Sequence, residues 1–353
     1  MGAAIMSRPW LSLHHSAREQ PPCDVTPSEG LGESQPNMPP EEHPHQGKYA
    51  QCRWPCLAYG VLLVSSFSGF LAAQELQPRA YIPAPVGVNF FNVGYSRDDG
   101  GISFAPSLPI ADAQADANYL SLGFGQSLGV LGRSAQVLAV VPYVQADLSG
   151  TLNGIGHYRY RSGLGDSVFR YSMNIIGAPA MDLKAFSQYR QKTIVGASIT
   201  VSAPTGQYDP NVLINIGENR WEFKPEIGIS HARGKWVLEG AAGAWMFTKN
   251  PQYEGRSLTQ VPVGSFQSHV VRLLPHRTWL AFDGNLFTGG RTQVNGIDQA
   301  NYQMNSRLGV SLGIKLNARH AIKFSYFSGV ETRVGAAVQS VGITYTVIWF
   351  KGH

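Results

Sequence analysis

From residue 85 to residue 350 the chain alternates apolar and polar positions with a period of two, and no run in it reaches 18 consecutive apolar residues. A period of two puts successive side chains on opposite faces of a strand, so this region is expected to be β throughout and cannot cross a bilayer as helices. In 118–128, Leu120, Leu122 and Phe124 alternate with Tyr119, Ser121, Gly123 and Gly125. In 135–150, Leu138, Val140, Pro142, Val144, Ala146 and Leu148 alternate with Tyr143, Gln145, Asp147 and Ser149. In 301–316, Met304, Leu308, Val310, Leu312, Ile314 and Leu316 share one face, and Gln303, Asn305, Arg307 and Ser311 share the other.

The pattern predicts twelve strands, near 86–96, 117–128, 135–149, 164–176, 192–203, 220–231, 236–247, 264–273, 278–288, 302–316, 321–329 and 337–350. Links after the second, sixth, eighth and tenth are tight (GVLGRS, ARGK, LPHR, NARH), and most links after odd-numbered strands are long. The exceptions are a long link at 177–191 and a short one after the eleventh strand. A sandwich has no reason to alternate link lengths, whereas a barrel with one periplasmic and one exterior rim does. The expected fold is all-β: an antiparallel up-and-down transmembrane β-barrel of twelve strands in the outer membrane of a Gram-negative bacterium. The apolar face then meets lipid, with Phe91, Tyr95, Trp221, Phe223, Phe324, Tyr326 and Trp349 as girdle aromatics. The last strand, 342–350 (GITYTVIWF), ends in an aromatic pair suited to the barrel-assembly machinery, although Lys351, Gly352 and His353 follow it.

Charge on a lipid face costs about 2–4 kcal/mol per residue at midplane. Asp147, Asp166, Arg170, Lys224, Glu226, Glu239, Asp283, Arg307 and Lys323 are therefore assigned by phase to the lumen, with Arg220 beside them. Both signs are present, so these groups either brace the lumen as ion pairs or line a path for a polar solute. Composition fits the barrel: 43% of residues are hydrophobic and only 14% charged, against roughly 25% in an average soluble domain. The net charge of +5 is spread singly, without a basic run, which argues against a nucleic-acid partner.

The one long apolar run, 57–73, follows Lys48 and Arg53 and ends in Leu71-Ala72-Ala73, so it reads as a signal peptide over 48–73, with a transmembrane anchor as the alternative. Residues 1–47, rich in Pro, Ser, Glu and His, read as a disordered extension, and translation is expected to start downstream of Met1, at Met38 or near Lys48. The barrel then occupies 74–353. Cys23, Cys52 and Cys56 all precede it, which removes disulfide scaffolds, zinc ribbons and thiol nucleophiles from the mature chain. No cofactor or metal is expected. The downstream histidines lack ligand spacing and no G-x-S-x-G is present. Ser265, Gln267 and His269 share one face of the eighth strand, the only arrangement that suggests a lipid hydrolase.

Several strings carry a resemblance: Pro78-Arg79-Ala80-Tyr81, the run Ala84 to Phe90, Gly163-Leu164-Gly165-Asp166, Gly177-Ala178-Pro179-Ala180, Ala203 to Pro210, and Asn215 to Glu226 (NIGENRWEFKPE). Together they resemble the outer-membrane transporters grouped with the meta-pathway of phenol degradation. The resemblance implies an outer-membrane barrel and a small, aromatic or otherwise hydrophobic solute. Asn215, Asn219 and Arg220 in the most specific string either anchor an exterior loop or gate the solute. Tyr158, Tyr160, Tyr208, Tyr253 and Tyr302 are candidates to hold a ring at the mouth. The expected function is passive uptake through the barrel. The rival readings are a structural or adhesive barrel with a plugged lumen and, less favoured, the hydrolase.

Overall fold

A computed structural model describes residues 77–103, 110–212 and 214–350. The extension, the signal segment, residues 74–76 and the three C-terminal residues lie outside the described residues. The strands are β1 (Val88–Ser103), β2 (Ile110–Val130), β3 (Arg133–Leu152), β4 (Ile155–Leu164), β5 (Ser167–Ile176), β6 (Thr193–Ala203), β7 (Glu222–Arg233), β8 (Trp236–Phe247), β9 (Asn250–Tyr253), β10 (Arg256–Gln260), β11 (Val263–Leu273), β12 (Thr278–Gly289), β13 (Thr292–Val294), β14 (Ile297–Asp298), β15 (Gln303–Lys315), β16 (His320–Thr332) and β17 (Gly335–Phe350). One short helix, α1 (Leu183–Gln188), lies in the link between β5 and β6.

The main sheet closes on itself. Each barrel strand pairs antiparallel with its neighbours, and the last strand returns to the first from Val88↔Phe350 to Ser103↔Gly335. Twelve staves result, as the alternation predicts, because β4 and β5 share one position: β3 pairs with β4 at 143–152 and with β5 at 135–140. The stave breaks at Gly165-Asp166, opposite Pro142, which has no N–H to give the ladder and instead accepts from the Gly165 N–H at 2.9 Å. Closure leaves the twelve staves of the barrel wall without a free edge, which a hydrocarbon environment requires, and the edges that remain, of β4 and of the four-stranded sheet, lie on the exterior side.

The exterior rim differs from the expectation of long loops. The links expected after the first and third strands are mostly strand: β1 runs on to Ser103, β2 begins at Ile110, and β3 and β4 continue to a two-residue turn. That turn is Asn153-Gly154, both at positive φ (53° and 79°), the backbone a tight hairpin needs. Above the bilayer both faces of a strand are wet, so pairing continues without an apolar face and the sequence there carries no hydrophobic alternation to read. The links above β8 and β12 likewise contain hairpins, which join as a four-stranded sheet in the order β14-β13-β10-β9 around Tyr253, Leu258 and Val294.

The outward girdle is as expected: Tyr95, Trp221, Phe324, Tyr326 and Trp349 are exposed, and the inward face is mostly small or polar. Ile227 sits outward in mid-strand on β7, more than half exposed, between Ala197 and Ala242. Ile227→Arg places a guanidinium against lipid, so it is expected to lower stability by about 2–4 kcal/mol, read as a lower urea midpoint for the barrel in lipid vesicles. An unchanged midpoint would show that this face does not meet the hydrocarbon.

Candidate functional site: the lumen and its outer mouth

The segment before β1 turns into the barrel. Tyr81 lies flat against Gly196 of β6 and Gly228 of β7, where a Cβ at either position would overlap its ring. Its hydroxyl meets Glu226 at 3.0 Å and Ser198 at 3.2 Å, and the Arg170 guanidinium lies 5.4 Å above the ring. Further along the segment, the Arg79 N–H donates to Glu239 at 2.5 Å and its guanidinium lies 5.7 Å from the Trp279 ring. Glycine at 196 and 228 is therefore a seat for an aromatic ring and not merely a strand weakness.

Around this seat the lumen charges are paired. Glu226 receives Lys224 at 2.9 Å and Arg170 at 3.5 Å. Glu239 accepts from Ser230 at 2.7 Å, and Asp283 bonds His269 and Ser311, each at 2.7 Å. Arg220 lies between Glu218 (3.3 Å) and Glu222 (3.7 Å), donates to Gln260 at 2.7 Å, and stacks over Phe247. Deep in a barrel, leaving such a charge without its partner costs more than the pair gains, so these groups fix one another. The wall opposite is different. Ser96, Ser121, Ser325, Gly342 and Thr344, on β1, β2, β16 and β17, face inward and are only half-buried. A small-residue strip thus remains accessible beside the inserted segment.

The outer mouth is narrowed by the loop between β6 and β7. Asp166, at the break in the fourth stave, accepts from the backbone N–H groups of Gly206 and Glu218, each at 2.8 Å. Asn215 closes the loop on itself, accepting from the Asp209 N–H at 2.7 Å and donating to the Val212 carbonyl at 2.9 Å. The fold of the loop carries Ile214 and Ile216 inward against the wall. Ile216 joins Ala117, Val144 and Ala146 in one apolar cluster with Tyr119 packed on it. Loop and wall form a cavity that is partly open to solvent, lined also by Ala115, Leu148, Ala336 and Val338 and by the polar Asp98, Arg161, Asn215 and Arg307.

The structure draws Arg170, Lys224 and Glu226 into one cluster, and places Arg220, Glu239 and Asp283 in separate inward-facing pairings. Arg307 is buried at the cavity and Lys323 faces inward between Gly313 and Thr344. Asp147 is a correction. It faces outward and is half-buried, bonded to the Tyr158 hydroxyl, whereas Leu138, Val140, Val144, Ala146 and Leu148 turn into the lumen. Strand β3 is apolar on both faces within the bilayer, with Val137, Ala139, Val141 and Tyr143 outward, so its alternation reads equally well in the wrong phase.

Of the mouth tyrosines, Tyr158 and Tyr160 lie on the outward side of β4 and do not face the cavity. Tyr253 is core to the exterior sheet, and burial pushes its phenol pKa up. Tyr208 receives the Asn250 amide and donates to the Gln252 carbonyl, both at 3.0 Å, and burial again raises its pKa. Asn219 bonds Asn250 at 3.0 Å, and Tyr302 meets Thr288 at 2.6 Å. These groups tie loops together. Ser265 lies four residues from His269 on one strand, about 13 Å away at the rise of a β-strand, so the two do not form a nucleophile–base pair. Sequence reasoning missed the inward aromatics Phe90, Trp279 and Phe327. Each faces a glycine on the neighbouring strand, at 125, 313 and 309, a signal visible only once the register is known.

No protein of curated function matches the chain. Among solved structures, it is similar to an outer-membrane channel from Pseudomonas putida F1, with a TM-score of 0.67 and 19% identity, covering 78% of this chain and 100% of that one. It is more distantly similar to the β domain of the Bordetella autotransporter BrkA (TM-score 0.45, 12% identity, 75% and 100% covered) and to the CymD monoaromatic hydrocarbon channel (TM-score 0.35, 11% identity, 76% and 90% covered). The first of these shows the fold to be that of an outer-membrane barrel. The sequence profile of the family described as "Putative MetA-pathway of phenol degradation" matches residues 97–347, and the chain belongs to that family.

Proposed function

We propose that this barrel is a passive outer-membrane channel for small solutes with an apolar, including aromatic, body. The observation that carries this reading is the inward turn of Val144, Ala146 and Leu148 against Ile214 and Ile216. A barrel built to pass hydrophilic solutes lines its lumen with polar groups, and apolar side chains on that side serve an apolar ligand. A solute leaving the cavity would pass along the strip of Ser96, Ser121, Ser325 and Thr344. The family's link to phenol degradation fits the same solute class. Phe350 ends β17 in register with Val88, and we assign this strand the role of presenting the chain to the barrel-assembly machinery of a Gram-negative outer membrane.

The test is uptake into proteoliposomes. Phenol or toluene is expected to enter faster than a sugar of similar mass, and Ala146→Trp, which fills the cavity from its wall, is expected to remove most of that advantage while the folded barrel keeps its heat-modifiable gel mobility. Equal, negligible entry of all solutes would favour the second reading, a plugged structural barrel. That reading draws on one specific observation, the anchoring of Arg79 and Tyr81 across the lumen.

A further inference from the structure

The outer-mouth cavity carries more positive charge than a passage for neutral solutes needs. Two guanidinium groups line it, Arg161 and Arg307, against one carboxylate, Asp98. The basic character continues outward. His157, Arg159 and Arg161 of β4 stand opposite Gly150, Leu148 and Ala146 of β3. Leu148 and Ala146 face the cavity, so the three basic residues lie on the same side of the sheet, about 6.6 Å apart along the strand. Asp147, Tyr158 and Tyr160 occupy the other side. The row thus leads from the exterior tip of the hairpin down to the cavity.

Arg161 is held in place. Its Nε donates to the Ile214 carbonyl at 3.0 Å and one Nη to the Tyr160 carbonyl at 3.3 Å, which leaves its other Nη for a further acceptor. Arg307, 8% exposed, donates to the Ala336 carbonyl at 3.4 Å. Asp98 offsets one of these two cations, and the cavity lining holds no second carboxylate for the other. A fixed guanidinium beside an apolar surface matches a ligand that is apolar at one end and anionic at the other.

We propose that the cavity is a binding site for a small monoanion with an apolar body, of the class of aromatic and alicyclic carboxylates. The ring lies on Val144, Ala146 and Ile216, and the carboxylate meets Arg161, with Arg307 adding to the field. Arg159 and His157 gather the anion at the rim, an effect that weakens as salt rises. This assignment rests on the channel reading and narrows it.

The test is calorimetric titration of the full chain in detergent with benzoate, phenol and acetate. Benzoate is expected to bind at least about tenfold more tightly than phenol, which lacks the full charge, and than acetate, which lacks the ring, a ratio within what one charge-assisted hydrogen bond confers. Arg161→Gln is expected to remove that preference and Arg161→Lys to keep most of it. Phenol binding as tightly as benzoate, or benzoate binding unchanged in a folded Arg161→Gln protein, overturns the assignment. The ranking of the three ligands on the unaltered protein decides the matter even if Arg161→Gln fails to fold. Proteoliposome swelling read alongside separates the two levels: entry of apolar solutes with no benzoate preference overturns this site alone, and benzoate binding without entry supports the site and overturns the channel.

Discussion

Tyr81→Ala is expected to raise the single-channel conductance of the barrel several-fold. The Tyr81 ring is the anchor of the inserted segment. It occupies the seat made by Gly196 and Gly228, and its hydroxyl bonds Glu226 and Ser198. Burial of such a side chain contributes about 1.5–3 kcal/mol. Alanine forfeits that burial and the stack under Arg170, so the segment leaves the wall and the lumen widens. Tyr81→Phe keeps the ring, and Glu226 keeps Lys224 and Arg170, so its conductance is expected to stay near that of the parent protein. Gly228→Val reaches the open state from the other side, because its Cβ overlaps the ring while valine suits the strand. Equal conductance in all four proteins would mean that the segment does not restrict the path.

The architecture was legible in the sequence wherever one face of a strand meets lipid, because there the bilayer forces an alternation. Ile227, Ile229 and Phe223 against Lys224, Glu226 and Gly228 leave one phase only. Two conditions removed that legibility. Where a strand is apolar on both faces, as β3 is, the phase is undetermined, and Asp147 was assigned to the wrong side. Where the strands leave the bilayer the constraint vanishes, so the β1–β2 and β3–β4 extensions read as loops.

The site was less legible than the fold, for the same reason in two forms. Its polar half is a set of charges whose inward phase could be read, but whose partners depend on register: nothing in the strings around Arg170 and Glu226 shows that Tyr81 packs against both. Its apolar half is made of residues that alternation assigns to lipid. Val144 and Ala146 became a cavity wall only because the loop carrying Ile214 and Ile216 folds in over them, and Asp166, 40 and 52 residues away from the N–H groups it receives, holds that loop.

Asp166→Ala is expected to abolish the cavity without unfolding the barrel. The two N–H groups that Asp166 receives belong to opposite ends of the inward loop, Gly206 where it leaves β6 and Glu218 where it approaches β7. Hydrogen bonds to a charged partner contribute about 1.5–3 kcal/mol each, and alanine removes both at once. The other bonds of this stretch each hold it at one point, Gln207 N–H on the Leu164 carbonyl (2.8 Å), Arg161 Nε on the Ile214 carbonyl (3.0 Å) and Tyr208 on Asn250 and Gln252, whereas Asp166 ties both ends at once; the Asn215 bonds are internal to the loop, and Ile216 packs in a cluster of small residues. Gly217, which sits so close to Gly206 that a Cβ would meet its backbone at 2.8 Å, depends on the same closure. The freed loop is expected to be cut by added protease on the exterior, while gel mobility, which reports the closed barrel, stays that of the folded form. Binding at the mouth should fall at least about tenfold, since half of the apolar wall departs with Ile214 and Ile216. Asp166→Asn gives an intermediate result, because an amide offers one acceptor oxygen and sets its NH₂ against the second N–H. A loop that resists protease in Asp166→Ala would show that the bonds from Gln207, Arg161, Tyr208 and the Arg220 cluster hold the mouth without Asp166.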